Sequence, residues 1–264
     1  AELQINRDKH RARMRLTLDT GPRYHFGDIT MQGTRIESDR LQQFINFKPG
    51  DPYQENKVTD LYKSLLDCGY FKDLNVKADR DNAVDHNVPI VVTLTDDRAH
   101  RFNVGAGYGT DSGLRTRFQW SKPVINDYGH STGATAQITE RDKTLEFEYK
   151  IPDGHPAKDY YLGQATYVDQ LVADTPVQTT TFTFSHNHEF KSLWVENLFI
   201  KLTQENKTEE ISNKFFMIPG FAFSQLKLKG KPIAHEGHRY LLETEYSDPS
   251  MGADTRFTKV HGLA

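Results

Sequence analysis

Alternating apolar and polar residues between positions 101 and 122 predict two β-strands joined by a DSG turn at 111–113, and each strand has one apolar and one polar face. In the first strand, one face carries Phe102, Val104, Ala106 and Tyr108, and the other carries Asn103, Gly105, Gly107 and Gly109. The second strand sets Leu114, Thr116, Phe118 and Trp120 against Arg115, Arg117, Gln119 and Ser121. A β-sandwich would bury the apolar faces against a second sheet, whereas an outer-membrane barrel exposes them to lipid around a wet lumen.

The same alternation continues after Arg98 to about residue 260, and helical periodicity is absent there. Further candidate strands lie at 131–139, 144–151, 160–170, 179–190, 198–204, 214–228, 239–246 and 255–260. With the first pair they make about ten strands, and most approach the nine to eleven residues with which a tilted strand crosses a membrane. The pattern predicts an antiparallel transmembrane β-barrel that is incomplete in this chain.

The residue types on the two faces favour a barrel. The polar face carries Arg115, Arg117, Glu146, Glu148 and Lys150, which are too many charges for a dry core unless all are paired. The apolar face carries the aromatic residues Phe118, Trp120, Phe147, Tyr149, Tyr167, Phe182 and Phe184. We therefore expect the charges to line a lumen. A soluble sheet with one wetted face is the alternative.

Residues 24–97 predict a separate α+β module of order β-α-α-β-β. A strand at 24–30 precedes a short helix, for which Ser38 is the expected N-cap. A second helix follows Pro52 and should end at Gly69, and strands follow at 71–78 and 88–97. Its expected core stripe is Val58, Leu61, Tyr62, Leu65 and Leu66.

Residues 1–23 are expected to be the last strands of a preceding copy of this module. Leu3 and Ile5 alternate in a first strand, RMRLTLD forms a second, and a charged turn at Asp8 and Lys9 joins them. The stretch RMRLTLDTGPRYHFGDI also resembles VVTLTDDRAHRFNVGA one module later. The division is then 1–23, 24–97 and 98–264. Because the chain opens and closes inside alternating strands and shows no signal peptide, we expect it to be part of a longer protein.

Composition narrows the function classes. The net charge of −3 and the pI of about 6.4 offer no basic surface for nucleic acid. The mean hydropathy of −0.68 is low, but a barrel strand presents only every second residue to lipid. No apolar run approaches the roughly 18 residues of a spanning helix. The single cysteine, Cys68, excludes an intramolecular disulfide and is expected to be a small buried apolar residue.

No catalytic, cofactor-binding or metal site is predicted, and the chain is not expected to be an enzyme. His186 and His188 share a strand face, but the sequence identifies no third ligand. His235, Glu236 and His238 are expected in a Gly/Pro-rich turn and lack the helical zinc spacing. Glu146 and Glu148 would stand about 7 Å apart along one strand, which suits a solvated lumen wall better than a glycosidase pair. Phosphate loops and nucleophile elbows are absent from the sequence.

Several segments in fixed order resemble the bacterial outer-membrane insertase superfamily, specifically a polypeptide-transport-associated (POTRA) domain followed by the transmembrane barrel. They are GPRYHFGDITMQGT (21–34), FKPGDPY (47–53), LLDCGYF (65–71), VVTLTDD (91–97), VGAGYGTDSGLRTRFQWSKPVINDYGHS (104–131), LEFEYKIP (145–152) and GKPIAHEGHRY (230–240). Within the superfamily the chain is similar to outer-membrane subunits of translocation and assembly modules. The resemblance implies periplasmic POTRA modules and a sixteen-stranded barrel, of which about the first ten strands are expected here.

The resemblance also implies a function. In this superfamily the first and last barrel strands pair weakly and form a lateral gate for client strands. The gate strand here would comprise Phe102, Val104, Gly105, Ala106, Gly107, Tyr108 and Gly109. Implied partners are the lipid bilayer, unfolded outer-membrane clients such as autotransporters, and an inner-membrane-anchored subunit of the same module. The alternatives are a general barrel-assembly subunit, a two-partner secretion pore, or a soluble β-rich binding protein or hydrolase.

Physical reasoning supports a weak seam at the first barrel strand. Glycine adds backbone entropy and removes side-chain packing, so three glycines on one face should weaken strand pairing. A client strand could then add to the free edge. The alternative is that the glycines ease strand curvature or allow close packing in the lumen. The strand at 71–78 is a second candidate edge for extended segments.

Overall fold

The computed structural model describes residues 2–6, 11–15, 21–110, 113–172, 175–207, 212–229 and 235–264. Its elements, in chain order, are β1 (Glu2–Asn6), β2 (Arg11–Arg15), β3 (His25–Gln32), α1 (Ser38–Gln42), α2 (Glu55–Asp67), β4 (Phe71–Ala78), β5 (Asn87–Asp96), β6 (Arg101–Gly109), β7 (Gly113–Lys122), β8 (Ser131–Ile138), β9 (Asp142–Pro152), β10 (Tyr160–Val172), β11 (Thr175–Glu189), β12 (Trp194–Lys207), β13 (Ser212–Lys229), β14 (Glu236–Ser247) and β15 (Phe257–Leu263). Short 3-10 helices span Arg80–Asn82 and Pro249–Met251.

The module of order β-α-α-β-β is confirmed. Its sheet has the order β3-β5-β4, with β3 parallel and β4 antiparallel to the central strand β5. Strand β5 buries Val88, Ile90, Val92 and Leu94, which alternate along it. Helix α2 packs on this sheet, so the apolar side of the helix and one face of the sheet together form a single hydrophobic core. Both β3 and β4 are edge strands, as expected for β4.

The apolar stripe of α2 is narrower than its sequence predicts. Val58, Leu61 and Leu65 are buried, but Tyr62 is 41% exposed and Leu66 is 53% exposed, so the prediction is wrong for these two. The buried residues recur every three to four positions on one side of the helix, and the other two flank that side. Gly69 follows the helix with a φ of +73°, a conformation that favours glycine, as predicted.

The predicted cap of the first helix is also corrected. Helix α1 begins at Ser38, so the N-cap position is Glu37, and no side chain caps it. Instead of a helix cap, the Asp96 carboxylate holds the loop before α1. It accepts hydrogen bonds from the Thr34 hydroxyl at 2.5 Å and from the Arg35 amide at 3.1 Å.

The second half of the chain is a ten-stranded antiparallel sheet in which sequential strands pair from β6 to β15, which confirms the predicted barrel strands. The sheet is open, with β6 and β15 at its edges. The registers keep the two faces separate across strands: Arg117 pairs with Gln137 and Gln137 with Thr144, whereas Phe118 pairs with Ala136 and Ala136 with Leu145. Polar and apolar rows therefore alternate, as a lumen and a lipid surface require.

Strands β1 and β2 form an antiparallel hairpin in which Ile5 lies opposite Ala12. The predicted turns at Asp8 with Lys9 and at 111–112 lie outside the described residues. Within the described ranges, no helix has the length and apolarity to cross a membrane.

The turn between β7 and β8 (residues 123–130) packs against the α+β module. Its Val124 is fully buried and belongs to the apolar core of the α+β module. Arg98 donates to Asp127 Oδ1 at 2.6 Å, and the Glu37 amide donates to the Asp127 carbonyl at 3.1 Å. The ten-stranded sheet thus contributes a core residue to the module that precedes it.

Leu65→Ala should lower the free energy of unfolding of the module by about 2–5 kcal/mol, because it removes a fully buried side chain. Hydrogen exchange of the β5 amides measures this in the intact protein. Leu66→Ala, one position further on the same helix, is the matched control and should change stability by no more than about 0.5 kcal/mol. Equal losses in both variants would contradict the narrow stripe.

Candidate functional site

Strand β6 is the edge of the ten-stranded sheet, and it follows the α+β module after a four-residue connection. Among the described strands it pairs with β7 alone, in a register from Arg101↔Ser121 to Gly109↔Gly113. Its other side carries backbone N–H and C=O groups available to a further strand. All of the predicted gate-strand residues lie on this one edge: Phe102, Val104, Gly105, Ala106, Gly107, Tyr108 and Gly109.

The glycine-bearing face of β6 is open. A Cβ atom built on Gly105 or Gly107 would meet nothing within 4 Å in the described chain. Their partners across the strand pair are Arg117 and Arg115, respectively. Within the described residues, close packing therefore does not require glycine at these two positions. The reduced strand stability that glycine confers remains as a physical consequence.

The end of β6 nearest the α+β module is held by side chains. Trp120 Nε1 donates to His100 Nδ1 at 2.9 Å, and the two rings stack with centroids 5.8 Å apart. Arg101 Nε donates to Asp97 Oδ2 at 3.0 Å, in an ion pair that joins β6 to the end of the module. Sequence reasoning missed both contacts. The one available signal was the placement of His100 and Arg101 directly before an aromatic strand.

The five predicted lumen charges share one face of the sheet. Arg115 and Arg117 lie on β7, and the other three, Glu146, Glu148 and Lys150, lie on β9. The registers place both sets on the face of the sheet that also carries Gly105, Gln137 and Thr135. Arg115 donates to Gln137 Oε1 at 2.9 Å, and the Lys150 ammonium lies 3.8 Å from the centre of the Tyr160 ring.

The opposite face carries the aromatic residues that the sequence assigned to lipid. Phe118, Phe147, Phe182 and Phe184 are exposed, and their rows alternate with the charged rows. A soluble sheet would need a second layer over this face, and no described element of the chain covers it.

The turn between β9 and β10 forms a second contact between the sheet and the α+β module. His155 Nε2 lies 2.8 Å from Ser64 Oγ on α2, and the His155 ring packs edge-on against Phe44 with centroids 4.9 Å apart. Burial lowers the pKa of His155, and nearby Lys158 lowers it further, while Asp159, Glu189 and Asp67 act in the opposite direction. The docked state therefore favours a neutral imidazole.

The described residues contain no cluster of three or more His, Cys, Asp or Glu side chains suited to a metal ion. His186 lies 3.8 Å from Asp153, and His188 Nδ1 contacts the Asp159 carboxylate. Glu236 and His238 belong to β14 rather than to a turn, which corrects their predicted placement. Cys68 is half-buried, its thiol donates to the Leu65 carbonyl at 3.0 Å, and burial raises its pKa to about 12, so it is unreactive.

Comparison with known proteins identifies the α+β module. Residues 24–96 match the family model POTRA, described as surface antigen variable number repeat. A stretch of 151 residues, 56% of the chain, is 26% identical to the outer membrane protein assembly factor BamA of Buchnera aphidicola subsp. Acyrthosiphon pisum (strain APS) and covers 24% of that protein.

The fold also matches solved structures. The crystal structure of BamA from Haemophilus ducreyi lacking POTRA domains 1–3 superimposes with a TM-score of 0.73 at 14% identity, over 98% of this chain and 54% of that one. CdiB from Acinetobacter baumannii gives a TM-score of 0.49 at 12% identity, over 92% of this chain and 47% of that one. The POTRA match and the BamA superposition show a POTRA domain followed by a segment with a BamA-like barrel fold, and the chain spans about half or less of the length of these relatives.

Replacing Gly105 and Gly107 together by alanine should stabilise the β6–β7 pair by about 1–2 kcal/mol, because each glycine in a strand costs about 0.5–1 kcal/mol relative to alanine. Hydrogen exchange of the β6 and β7 amides measures the change. Gly133→Ala on β8 is the control, because its Cβ would lie 3.0 Å from Glu148 Oε1 and 3.3 Å from the Trp120 carbonyl oxygen, so no gain is expected. Unchanged exchange in the double variant would show that these glycines do not weaken the seam.

The contact between His155 and α2 should weaken in acid. Because the docked pKa of His155 lies below its ordinary value of 6.5, the contact is fully stabilising above that pH and is lost as pH falls through the docked pKa. A ¹³C NMR titration of the His155 ring should give a pKa below 6.5. Phe44→Ala should move this pKa toward 6.5, whereas Tyr62→Ala, an exposed residue of α2, should leave it unchanged. A wild-type pKa at or above 6.5 would contradict the proposed cause.

Proposed function

We propose that this chain is part of a non-enzymatic outer-membrane assembly factor that inserts or secretes β-barrel clients through a lateral gate at β6. The sheet lies in the outer membrane and the POTRA domain lies in the periplasm. The observation that carries the proposal is the position of β6. It is an exposed edge strand beside the POTRA domain, with glycines on its lumen face and apolar side chains on its lipid face.

The chemistry of the edge explains how a client would bind. A strand edge in hydrocarbon leaves N–H and C=O groups unsatisfied, at a cost of several kcal/mol per group. An incoming strand that hydrogen-bonds to β6 removes this cost and directs its own alternating side chains to lipid and lumen. The reaction requires no catalytic group, because strand pairing itself supplies the free energy.

Within this class we propose the TamA type, the outer-membrane subunit of a translocation and assembly module, with autotransporters as clients. The support is the order of sequence segments from GPRYHFGDITMQGT to LEFEYKIP. The proposed partners are a TamB-like subunit anchored in the inner membrane, unfolded clients and the bilayer. We propose residues 1–23 as the end of a preceding POTRA module, since β1 and β2 form a hairpin ahead of residue 24.

A second candidate is a general barrel-assembly subunit. It is favoured by the 26% identity to a protein named as an outer membrane protein assembly factor. The two candidates differ in their clients, so a depletion strain should separate them. Loss of autotransporter display with normal porin levels supports the TamA type, and loss of both supports general assembly.

Site-specific crosslinking should locate client strands at β6. With Cys68 replaced by alanine in the full-length protein, Val104→Cys should form a disulfide with a single cysteine in a client strand stalled during insertion. Leu145→Cys on β9 is the matched control, because Val104, Phe118, Ala136 and Leu145 lie on one row of the same face. Val104 is 80% exposed and Leu145 is 52% exposed, yet the control strand has neighbours on both sides and should not crosslink. Equal crosslinking yields from the two positions would contradict the assignment of β6 as the gate strand.

A further inference from the structure

The tip of the β6–β7 hairpin extends beyond the end of β8. Strand β8 pairs with β7 only from Thr116 onward, where Thr116 lies opposite Ile138. The three preceding residues of β7 pair with β6 but with no strand on the other side in the described chain. They are Gly113, Leu114 and Arg115, which lie opposite Gly109, Tyr108 and Gly107, respectively. The far end of the edge hairpin therefore lacks the backbone support that β8 gives to the rest of β7.

A side chain supplies the hydrogen-bond acceptor that β8 does not. Glu140, in the turn between β8 and β9, accepts a hydrogen bond from the Leu114 amide through Oε1 at 3.0 Å. A carboxylate that accepts from a backbone N–H forms a stronger hydrogen bond than a neutral acceptor does. Arg115 adds a hydrogen bond to the side chain of Gln137 on β8 at 2.9 Å. The overhanging tip is thus held by side chains rather than by a strand.

Gly113 leaves the room that the Glu140 carboxyl group occupies. Its φ is +69°, a backbone conformation that residues other than glycine rarely adopt. A Cβ atom built on Gly113 would overlap the Cδ atom and both carboxylate oxygens of Glu140. The carboxyl group therefore lies directly against the backbone of the hairpin, where any residue with a side chain would displace it. Close approach requires glycine here, in contrast to Gly105 and Gly107.

The turn that carries Glu140 is itself held to the sheet. The Thr139 amide donates to the Asp142 carbonyl at 2.7 Å, and the buried Thr139 hydroxyl accepts from the Asp142 amide at 2.8 Å. The Arg141 carbonyl accepts from the Leu171 amide, near the end of β10, at 3.3 Å. Because β8, β9 and β10 are each paired on both sides, Glu140 connects the hairpin tip to a part of the sheet that is fully hydrogen-bonded.

We propose that Glu140 is a positioning residue for the gate strand, because its carboxylate holds the tip of the β6–β7 hairpin on the body of the sheet. This inference rests on the proposed function, since the order of the β6 edge matters only if a further strand pairs with it. The part of β6 that β8 supports through β7 runs from Arg101 to Ala106, where Ala106 lies opposite Thr116. A membrane-spanning strand needs about nine to eleven residues, so the full nine residues of β6 are required as its template. Glu140 keeps the last third of that template ordered.

Hydrogen exchange of the full-length protein in detergent measures the contact without a client. Glu140→Ala should raise the exchange rate of the Leu114 amide about fivefold, because that amide loses its acceptor, and should leave the Phe118 amide inside the β8 ladder unchanged. Glu140→Gln keeps a side-chain oxygen acceptor and should restore most of the protection. Arg141→Ala is the matched control, because it truncates an exposed side chain of the same turn and should leave the Leu114 amide unchanged. Equal exchange of Leu114 in Glu140→Ala and wild type would overturn the proposal.

Crosslinking to a stalled client strand tests the consequence for the edge. With Cys68 replaced by alanine, Tyr108→Cys probes the overhanging tip and Val104→Cys probes the supported part, on the same face and with wild-type side chains that are 79% and 80% exposed. Adding Glu140→Ala should lower the yield at position 108 relative to position 104 about threefold, whereas adding Arg141→Ala should not change this ratio. An unchanged ratio with Glu140→Ala would overturn the proposal. No crosslink at position 104 with Glu140 intact would contradict the gate, and with it this role of Glu140, even where the exchange data show that the carboxylate holds the hairpin.

Discussion

The hydrogen-bonding requirement of the β6 edge is the constraint on which the rest of the molecule depends. Each strand from β7 to β14 is paired with a neighbouring strand on both sides, so its backbone N–H and C=O groups are hydrogen-bonded even in lipid. Strands β6 and β15 each lack a second partner among the described strands, and under the proposed function β6 obtains one from a closing strand or from a client. Alternation along the strands directs successive side chains to lipid and to the lumen, and the glycines lower the stability of the pairing between β6 and β7.

The POTRA domain is fixed to the strands beside this edge rather than to the edge alone. Val124 is buried in the POTRA core, and the turn that carries it connects β7 to β8. Asp127 in the same turn contacts both Arg98 and the Glu37 amide. Because Val124 is packed in the POTRA core, we expect a displacement of the POTRA domain to act on β7, the sole described partner of β6.

The sequence predicted the sheet well because strand periodicity and polar turns are local signals. The alternation of Phe118 and Trp120 with Arg117 and Gln119 requires no tertiary information, and the structure confirms the resulting faces. The α2 stripe was predicted too wide, because which flanking residues reach the sheet depends on how α2 lies on β4 and β5. Periodicity alone cannot exclude Tyr62 and Leu66. The site was harder to predict. Trp120 with His100, Ser64 with His155, and Val124 in the POTRA core are contacts between segments that no local pattern connects.

These contacts also make the pairing of β6 with β7 stronger at one end than at the other. At the POTRA end, the Trp120–His100 hydrogen bond and the Arg101–Asp97 ion pair add side-chain interactions to the backbone ladder. Toward the other end, Gly105 and Gly107 lie opposite Arg117 and Arg115. Because glycine has no side chain, no cross-strand side-chain pair adds to the backbone hydrogen bonds at these two positions. Cross-strand side-chain pairs contribute roughly 0.2–1 kcal/mol each, so pairing is weakest where the glycines lie. Under the proposed function, strand exchange at β6 should therefore begin away from the POTRA domain, while the anchored end preserves the register that an incoming strand would have to match.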